Sequence, residues 1–267
     1  MTAYAFPTRR VLLRDLGKAG LAILVLGSAA CASDDTAPST EGGSDSTAPN
    51  EATTTAPVSS SSTTAPATVS GHQWARANLG FVSAYVLYRQ GEAAVVDTGV
   101  AGSEAVIEEA LATAGLGWES VGHVIITHKH NDHQGSLQGV LDSASGADWY
   151  AGTGDMNAIV ANSSGTPVGD GDVVFGLEII GTPGHTPGHV SVLDPLGRIL
   201  VVGDSARGGP DGGLTGPNAQ FSEDLTLAHE SVRKMAGFDY EVVLVGHGEP
   251  VLAGGAAAMM ALAATFG

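Results

Sequence analysis

Four potential metal ligands fall within six residues in the stretch Thr127-His128-Lys129-His130-Asn131-Asp132-His133-Gln134-Gly135. In an extended segment His128 and His130 point to the same side and can grip one ion. Asp132 and His133 sit where the loop turns into the next helix, and adjacent residues at a turn diverge, which suits this pair to a second ion. The apolar, β-branched run Val121 to Thr127 precedes the cluster and predicts a buried strand, so the ligands are expected on the loop at its C-terminal end.

The same arrangement recurs along the chain. Asp97 closes the run Ala93 to Thr98, and Asp204 follows the run Arg198 to Val202. His185 stands in Gly181-Thr182-Pro183-Gly184-His185-Thr186-Pro187-Gly188-His189, where glycines and prolines fix the backbone. His247 lies between Gly246 and Gly248 after Val242 to Val245. Five polar strand ends in a domain with no internal repeat point to one convergent site on a sheet edge. His189 is expected to make structural hydrogen bonds, and Lys129 to be solvated rather than to bind a substrate carboxylate. His72, His123 and His229 carry no special signal.

The elements that must position these residues alternate. A hairpin joins Phe81 to Tyr88 and Ala93 to Thr98 across Gln90-Gly91-Glu92. A helix runs from Ser103, its cap, to Ala114 before Gly115. Further helices are expected over residues 136–143, 154–161, 223–235 and 256–264. Strands are expected over 148–151 and 173–181, with a hairpin of 190–193 and 198–202. The Gly-rich run Ser205 to Asn218 is expected to be a mobile lip of the groove. The fold class is α/β (α+β).

The N-terminal quarter has a different composition. Thr8-Arg9-Arg10-Val11-Leu12-Leu13-Arg14, the apolar segment Ala19 to Leu26 and the small residues Ser28-Ala29-Ala30 predict an export signal over residues 1–30 that resembles the twin-arginine type. Cys31, the one cysteine of the chain, follows directly and resembles the acylated cysteine of a bacterial lipoprotein, although Ser28 stands where an aliphatic residue is usual. Ordinary cleavage nearby is the alternative. Residues 31–70, rich in Ser, Thr, Ala and Pro, bury too little apolar surface to fold and are expected to be a linker. Residues 71–267 form the remaining domain, with seven Lys and Arg against 22 Asp and Glu, a net charge of −15. That field repels phosphate backbones and argues against nucleic acid as a partner.

With its strand ends in this order, the stretch 71–267 resembles the metallo-β-lactamase-fold hydrolases. That family carries an early Asp, an H-x-H-x-D-H loop, a lone His, a lone Asp and a final His in this sequence. The resemblance implies a four-layer αβ/βα sandwich with a two-metal site in the groove along one edge. It implies that His128, His130 and His185 hold one ion, that Asp132, His133 and His247 hold the other, and that Asp204 bridges both. Asp97 is implied to orient a ligand from behind. Five imidazoles and two carboxylates suit two Zn²⁺, with Fe or Mn left open. Two ions, two carboxylates and a bridging hydroxide leave a net positive centre that favours an oxyanion, with Asp132 as the catalytic proton carrier.

Asp204 stands where some β-lactamases of the family have a cysteine ligand, which sets those types aside. The short stretch after His247 leaves no room for the helical glutathione-binding domain of glyoxalase II. RNA-processing members carry basic surfaces that are missing here, and flavodiiron proteins replace the second loop His with Glu. The expected function is an exported binuclear zinc hydrolase that opens an ester, thioester or lactone of a small molecule with metal-bound hydroxide. The alternatives are an exported β-lactamase and a non-catalytic zinc-binding lipoprotein. The expected location is the outer face of the cytoplasmic membrane, held through Cys31, or the periplasm or medium.

Overall fold

The computed structural model describes residues 70–267; the expected export signal, Cys31 and all but the last residue of the expected linker lie outside this range. Six strands make the first sheet, in an order that follows the chain: β1 (Gln73–Asn78), β2 (Ser83–Arg89), β3 (Glu92–Val96), β4 (Val121–Ile126), β5 (Asp148–Gly152) and β6 (Thr166–Val168). The first three pair antiparallel, and β3 to β6 run parallel. The second sheet contains β7 (Val173–Val174), β8 (Leu177–Gly181), β9 (Val190–Asp194), β10 (Ile199–Val201) and β13 (Val242–Leu244) in the order β13-β10-β9-β8-β7. Its β10 and β13 are parallel and its other pairs antiparallel.

Side chains alternate across each strand, so each sheet buries both faces. On the inner faces Tyr85, Leu87, Val96 and Ile125 of the first sheet pack against Leu177, Ile179, Val192 and Val201 of the second. On the outer side of the first sheet, helices α1 (Glu104–Thr113) and α3 (Leu137–Ser143) cover Val86, Val95 and Val124 with Ile107, Leu111 and Val140. On the outer side of the second, α4 (Leu225–Met235) and α5 (Gly255–Ala264) cover Leu200 and Val243 with Val232, Met235, Met259 and Leu262. Three apolar interfaces thus separate four layers, the expected αβ/βα sandwich.

Several elements differ from the sequence reading. The pattern predicts a helix over residues 154–161, but only a 3₁₀ turn at Met156–Ala158 forms. The side chain of Asp155 bonds to residues 186 and 188 instead of supporting a helix start. Ser103 precedes α1, yet its hydroxyl donates to the carbonyl of Val100 and does not cap the helix. The cap of α4 is Asp224, whose carboxylate accepts from the Leu227 amide at 2.9 Å. Part of the Gly-rich run 205–218 is a small ladder, β11 (Arg207–Gly208) against β12 (Leu214–Thr215). A one-turn helix, α2 (Asn131–Gln134), carries part of the His cluster. The sequence reading also missed β1 and β6.

The start of the described chain is fastened to the β9–β10 hairpin. Asp194, buried, accepts from the His72 amide at 2.5 Å and faces His72 Nδ1 at 3.0 Å, while its other oxygen accepts from the Leu196 amide. Burial pushes the Asp194 carboxyl up, but the His72 side chain and the amides of Gly197 and His72 outweigh it and hold it below the usual carboxylate range. Its stabilisation is therefore present above the unfolded-state pKa of about 4 and is lost as pH falls through the lower folded value. Asp194→Ala is expected to cost about 1–3 kcal/mol at neutral pH, because the buried His72 amide loses its acceptor and the partly buried Leu196 amide loses a bond that water can partly replace. Urea denaturation checks this, and the gap to wild type should narrow in acid; an unchanged midpoint at pH 7 would remove Asp194 from this role.

Candidate metal centre

Strand direction gathers the site. β3, β4 and β5 run the same way in the first sheet, and β8, β10 and β13 share one direction in the second. Asp97 follows β3, the His cluster β4, Asp155 β5, His185 β8, Asp204 β10 and His247 β13. The amide of Val190 donates to the carbonyl of Thr127, and that of Ser83 to Gly246, which stitches these ends into one edge.

Three ring nitrogens converge first. His128 Nε2 and His185 Nε2 each lie 3.0 Å from His130 Nδ1. The remaining nitrogens of two rings have fixed partners: His128 Nδ1 faces Thr127 Oγ1 at 3.0 Å and His185 Nδ1 faces Ser222 Oγ at 3.2 Å. Burial, with His133 and His189 adding to it, holds His128 well below the usual histidine range. Burial also lowers His130, and it takes His185 down to about 4 against the pull of Asp204. These rings are neutral and offer lone pairs.

Beside them stands a second group, Asp132, His133 and His247. His247 Nε2 lies 3.4 Å from Asp132 Oδ2, and His133 Nε2 lies 3.9 Å from the same oxygen. Asp97, buried and in the left-handed region at φ 61°, holds the group from behind. Its Oδ2 accepts from His133 Nδ1 and Thr127 Oγ1 at 2.8 Å each, and its Oδ1 from the Thr127 amide at 2.7 Å. With Nδ1 donating to Asp97, His133 turns Nε2 toward the groove. His247 is set the same way, since its Nδ1 donates to the Phe81 carbonyl at 2.6 Å.

Asp204 lies between the groups. Its Oδ1 is 3.2 Å from His133 Nε2, and its Oδ2 is 3.4 Å from His185 Nε2 and 3.3 Å from His247 Nε2. Hydrogen bonds that His247 donates to Asp132 and then to Asp204 push it up to about 10, and the first of these bonds lowers Asp132. Burial pushes His133 down, but Asp204 and Asp97 outweigh it and raise it well above its usual range. Burial likewise opposes ionisation of Asp204, which His133 and His247 nevertheless hold well below the carboxylate range. Three carboxylates around two imidazoles make this half of the site demand positive charge.

The residues fit metal ions. His133 Nε2 and Asp204 Oδ1 are enclosed without a hydrogen-bond partner among the described residues, a costly arrangement that a shared cation would relieve. The two 3.0 Å separations from His130 Nδ1 are near the edge of about 3.3 Å that tetrahedral Zn–N bonds of about 2.0–2.1 Å require. Two glycines keep the space: a Cβ on Gly246 would meet Asp204 Oδ1 at 2.6 Å, and one on Gly203, at φ +52°, would meet His189 Nε2 at 2.7 Å.

The structure brings together all seven expected ligands and Asp97. His189 makes the structural contacts foreseen for it: its Nε2 accepts from the Asp204 amide at 3.1 Å and its Nδ1 faces Thr182 Oγ1 at 2.8 Å. Lys129 is not merely solvated, because Nζ pairs with Glu223 at 2.7 Å. Asp155 was missed. It is fully buried, accepts from the Lys129 amide at 3.1 Å, Thr186 Oγ1 at 2.5 Å and the Gly188 amide at 2.9 Å, and so ties the two histidine loops together. The signal was available, since Gly152-Thr153-Gly154-Asp155 repeats the pattern of a strand end, glycines and one acid.

Comparison with known proteins agrees with this geometry. The chain is 31% identical over 201 residues to the Probable metallo-hydrolase YflN of Bacillus subtilis (strain 168), which covers 59% of this chain and 75% of that one. It is 34% identical over 129 residues to a hydroxyacylglutathione hydrolase of Cupriavidus taiwanensis, covering 42% of this chain and 44% of the relative. Among solved structures, a metallo-beta-lactamase family protein from Thermus thermophilus superposes with a TM-score of 0.58 at 21% identity, over 73% of this chain and 79% of that one. The B3 metallo-beta-lactamase BLEG-1 superposes at 0.56 with 23% identity, over 67% and 93%, which speaks to the fold alone. The family model of the metallo-beta-lactamase superfamily matches residues 77–159 and 165–247, a span that runs from β1 to His247 and takes in every ligand named above. A chain matched over that span, with relatives that are themselves metallo-hydrolases, belongs to the metallo-beta-lactamase superfamily and is a metal-dependent hydrolase.

Proposed function

We propose that residues 71–267 form a binuclear zinc hydrolase that cleaves an ester, thioester or lactone of a small molecule. The observation that carries this reading is Asp204, whose two oxygens reach ligand nitrogens of both groups within 3.4 Å. His128 Nε2, His130 Nδ1 and His185 Nε2 would hold one ion, Asp132, His133 Nε2 and His247 Nε2 the other, and Asp204 both. When bound, two such ions supply Lewis acidity toward the acyl oxygen and lower the pKa of water to roughly 7. Imidazole and carboxylate donors without a thiolate suit zinc, which is borderline in softness.

The chain's own residues then have distinct tasks. Asp97 keeps the proton of His133 on Nδ1, and the Phe81 carbonyl does the same for His247, so both rings face the groove through Nε2. The His189 ring holds the Asp204 backbone and thereby the direction of its carboxylate. Asp132 is partly exposed and placed at the groove to accept and return a proton through its carboxylate. Relatives named hydroxyacylglutathione hydrolase and thioesterase favour an acyl bond over an amide. A carboxylate shared between two ions adds negative charge and weakens the second ion's support of a nitrogen leaving group, which also ranks β-lactams below esters.

Metal analysis should find about two equivalents, and dialysis against a chelator should abolish turnover of aryl esters or lactones, with zinc restoring it. Asp204→Asn is expected to lower kcat by roughly two orders of magnitude or more, the scale seen when a charge-stabilising group is removed. Fully loaded protein that opens a cephalosporin efficiently and ignores esters, thioesters and lactones would overturn this reading. Metal-loaded protein that turns over none of them would leave the zinc-carrier alternative.

We also infer export, with Arg9 and Arg10 as the recognised pair and Cys31 as the site of lipidation; the support is the order basic pair, apolar segment, small residues and cysteine. Cell fractionation tests this. Cys31→Ser should move the protein from the membrane to the soluble exported fraction, and unchanged membrane retention would count against lipidation.

A further inference from the structure

The loop after β5 is pressed against the loop that carries His185. A Cβ on Gly152 would stand 1.8 Å from the Gly188 carbonyl oxygen, one on Gly154 2.8 Å from the Gly188 amide nitrogen, and one on Gly188 2.1 Å from the Asp155 amide nitrogen. Three glycines thus let two backbones touch, and the side chain delivered at that contact is the fully enclosed Asp155. Its Oδ1 accepts from the Gly188 amide at 2.9 Å and its Oδ2 from Thr186 Oγ1 at 2.5 Å. The same Oδ2 accepts from the amide of Lys129, the residue between His128 and His130, at 3.1 Å. The Lys129 carbonyl accepts from Gln134 Nε2 at 2.5 Å, and Gln134 also bonds to the Ala158 carbonyl at 3.3 Å and the Val160 amide at 3.1 Å. Both peptides of Lys129 are therefore pinned to the segment 155–160.

These bonds serve one half of the centre. Lys129 and Thr186 adjoin His128, His130 and His185 in the chain, whereas His133 takes its direction from Asp97 and Thr98 and His247 from the Phe81 carbonyl. The halves also differ in what they demand of position. Apart from the shared Asp204, the three rings of the neutral half hold a cation through directional lone pairs, which must be placed within about 0.5 Å. The other half attracts a cation through charge as well, and charge falls off slowly with distance. A carboxylate suits the tie, because it offers two acceptor oxygens to three donors. An amide in its place has one acceptor oxygen and turns an NH₂ group toward an N–H. The Val190 amide and Thr127 carbonyl join the strand ends independently of Asp155, so the sandwich keeps its edge when this side chain is altered.

We propose that Asp155 is a positioning residue for one ion only: it fixes the spacing of His128 and His130 from His185, and its loss weakens that half while the Asp132–His133–His247 half keeps its affinity. This rests on the two-ion reading above and deepens it.

Zinc titration of chelator-treated full-length protein against a competing chromophoric chelator tests this, because it reads affinity and not turnover. Wild type should fill two sites. Asp155→Asn should weaken one of them about 10–100-fold, the range for loss of a group that orients metal ligands, and leave the other unchanged. Two backgrounds identify the weakened site. With His247→Ala already present, Asp155→Asn should still weaken zinc binding; with His185→Ala already present, it should add little. Thr186→Val, which removes one of the three donors, should show a smaller loss at the same site, and Thr186→Ser should restore wild-type binding. Wild type that fills a single site would sink the two-ion reading, and weakening of that site by Asp155→Asn would leave the role of Asp155 standing. Zinc affinities in Asp155→Asn equal to wild type, or a loss of equal size in both backgrounds, would overturn the proposal. If Asp155→Asn does not fold, wild-type zinc affinities in Thr186→Val would overturn it instead.

Discussion

A carboxylate as enclosed as Asp204, at 6% exposure, is tolerable only where positive charge or strong donors face it. Three imidazoles do so here, and each needs a partner of its own. His133 leans on Asp97, His247 on the carbonyl of Phe81 and His185 on Ser222. Asp97 in turn is held by the amide and hydroxyl of Thr127. The centre is therefore a set of nested dependencies that starts from one buried anion and ends in backbone groups of two sheets.

Such a network requires rigid ends that meet. Two sheets packed face to face each present three strands of common direction, and the loops that leave them carry the ligands. No ligand is contributed by a long helix, whose apolar faces are spent on the outer cores. Asp155 adds a tie that the strands alone do not provide, because it joins the loops after β4 and β8 through three bonds. Fixing those loops to each other fixes the separation of His128 and His130 from His185, and loss of such outer support typically costs 10–100-fold in metal affinity or activity.

The ligands were legible in the sequence because each is a local event: an apolar run, a glycine, then a lone His or Asp. The sandwich was implied by the family resemblance, whereas the pattern along the chain placed strands and helices without saying how they stack. What escaped were features settled by distant partners. Lys129 reads as a loop cation until Glu223 at the start of α4 is seen to face it. Asp155 fell inside a stretch whose residues suited a helix, and only Thr186 and Gly188, brought by another sheet, explain why the chain stays open there. β1 and the β11–β12 ladder escaped for a related reason: short or weakly apolar segments become strands only when a neighbour supplies the ladder.

The two halves of the centre differ in kind. His128, His130 and His185 are neutral donors lowered by burial, whereas His133 and His247 stand among Asp97, Asp132 and Asp204. Neutral donors bind a cation through lone pairs and cost little to enclose. Carboxylates bind it through charge and are costly to enclose unless the cation or a proton is present. The first half is thus formed by packing and the second by charge balance, and Asp204 belongs to both. A substrate that enters meets one partly exposed imidazole of the neutral half, His130, and the Asp132–His247 pair of the charged half, with His128, His185 and His133 buried behind them, so the difference between the halves is one of charge and not of depth.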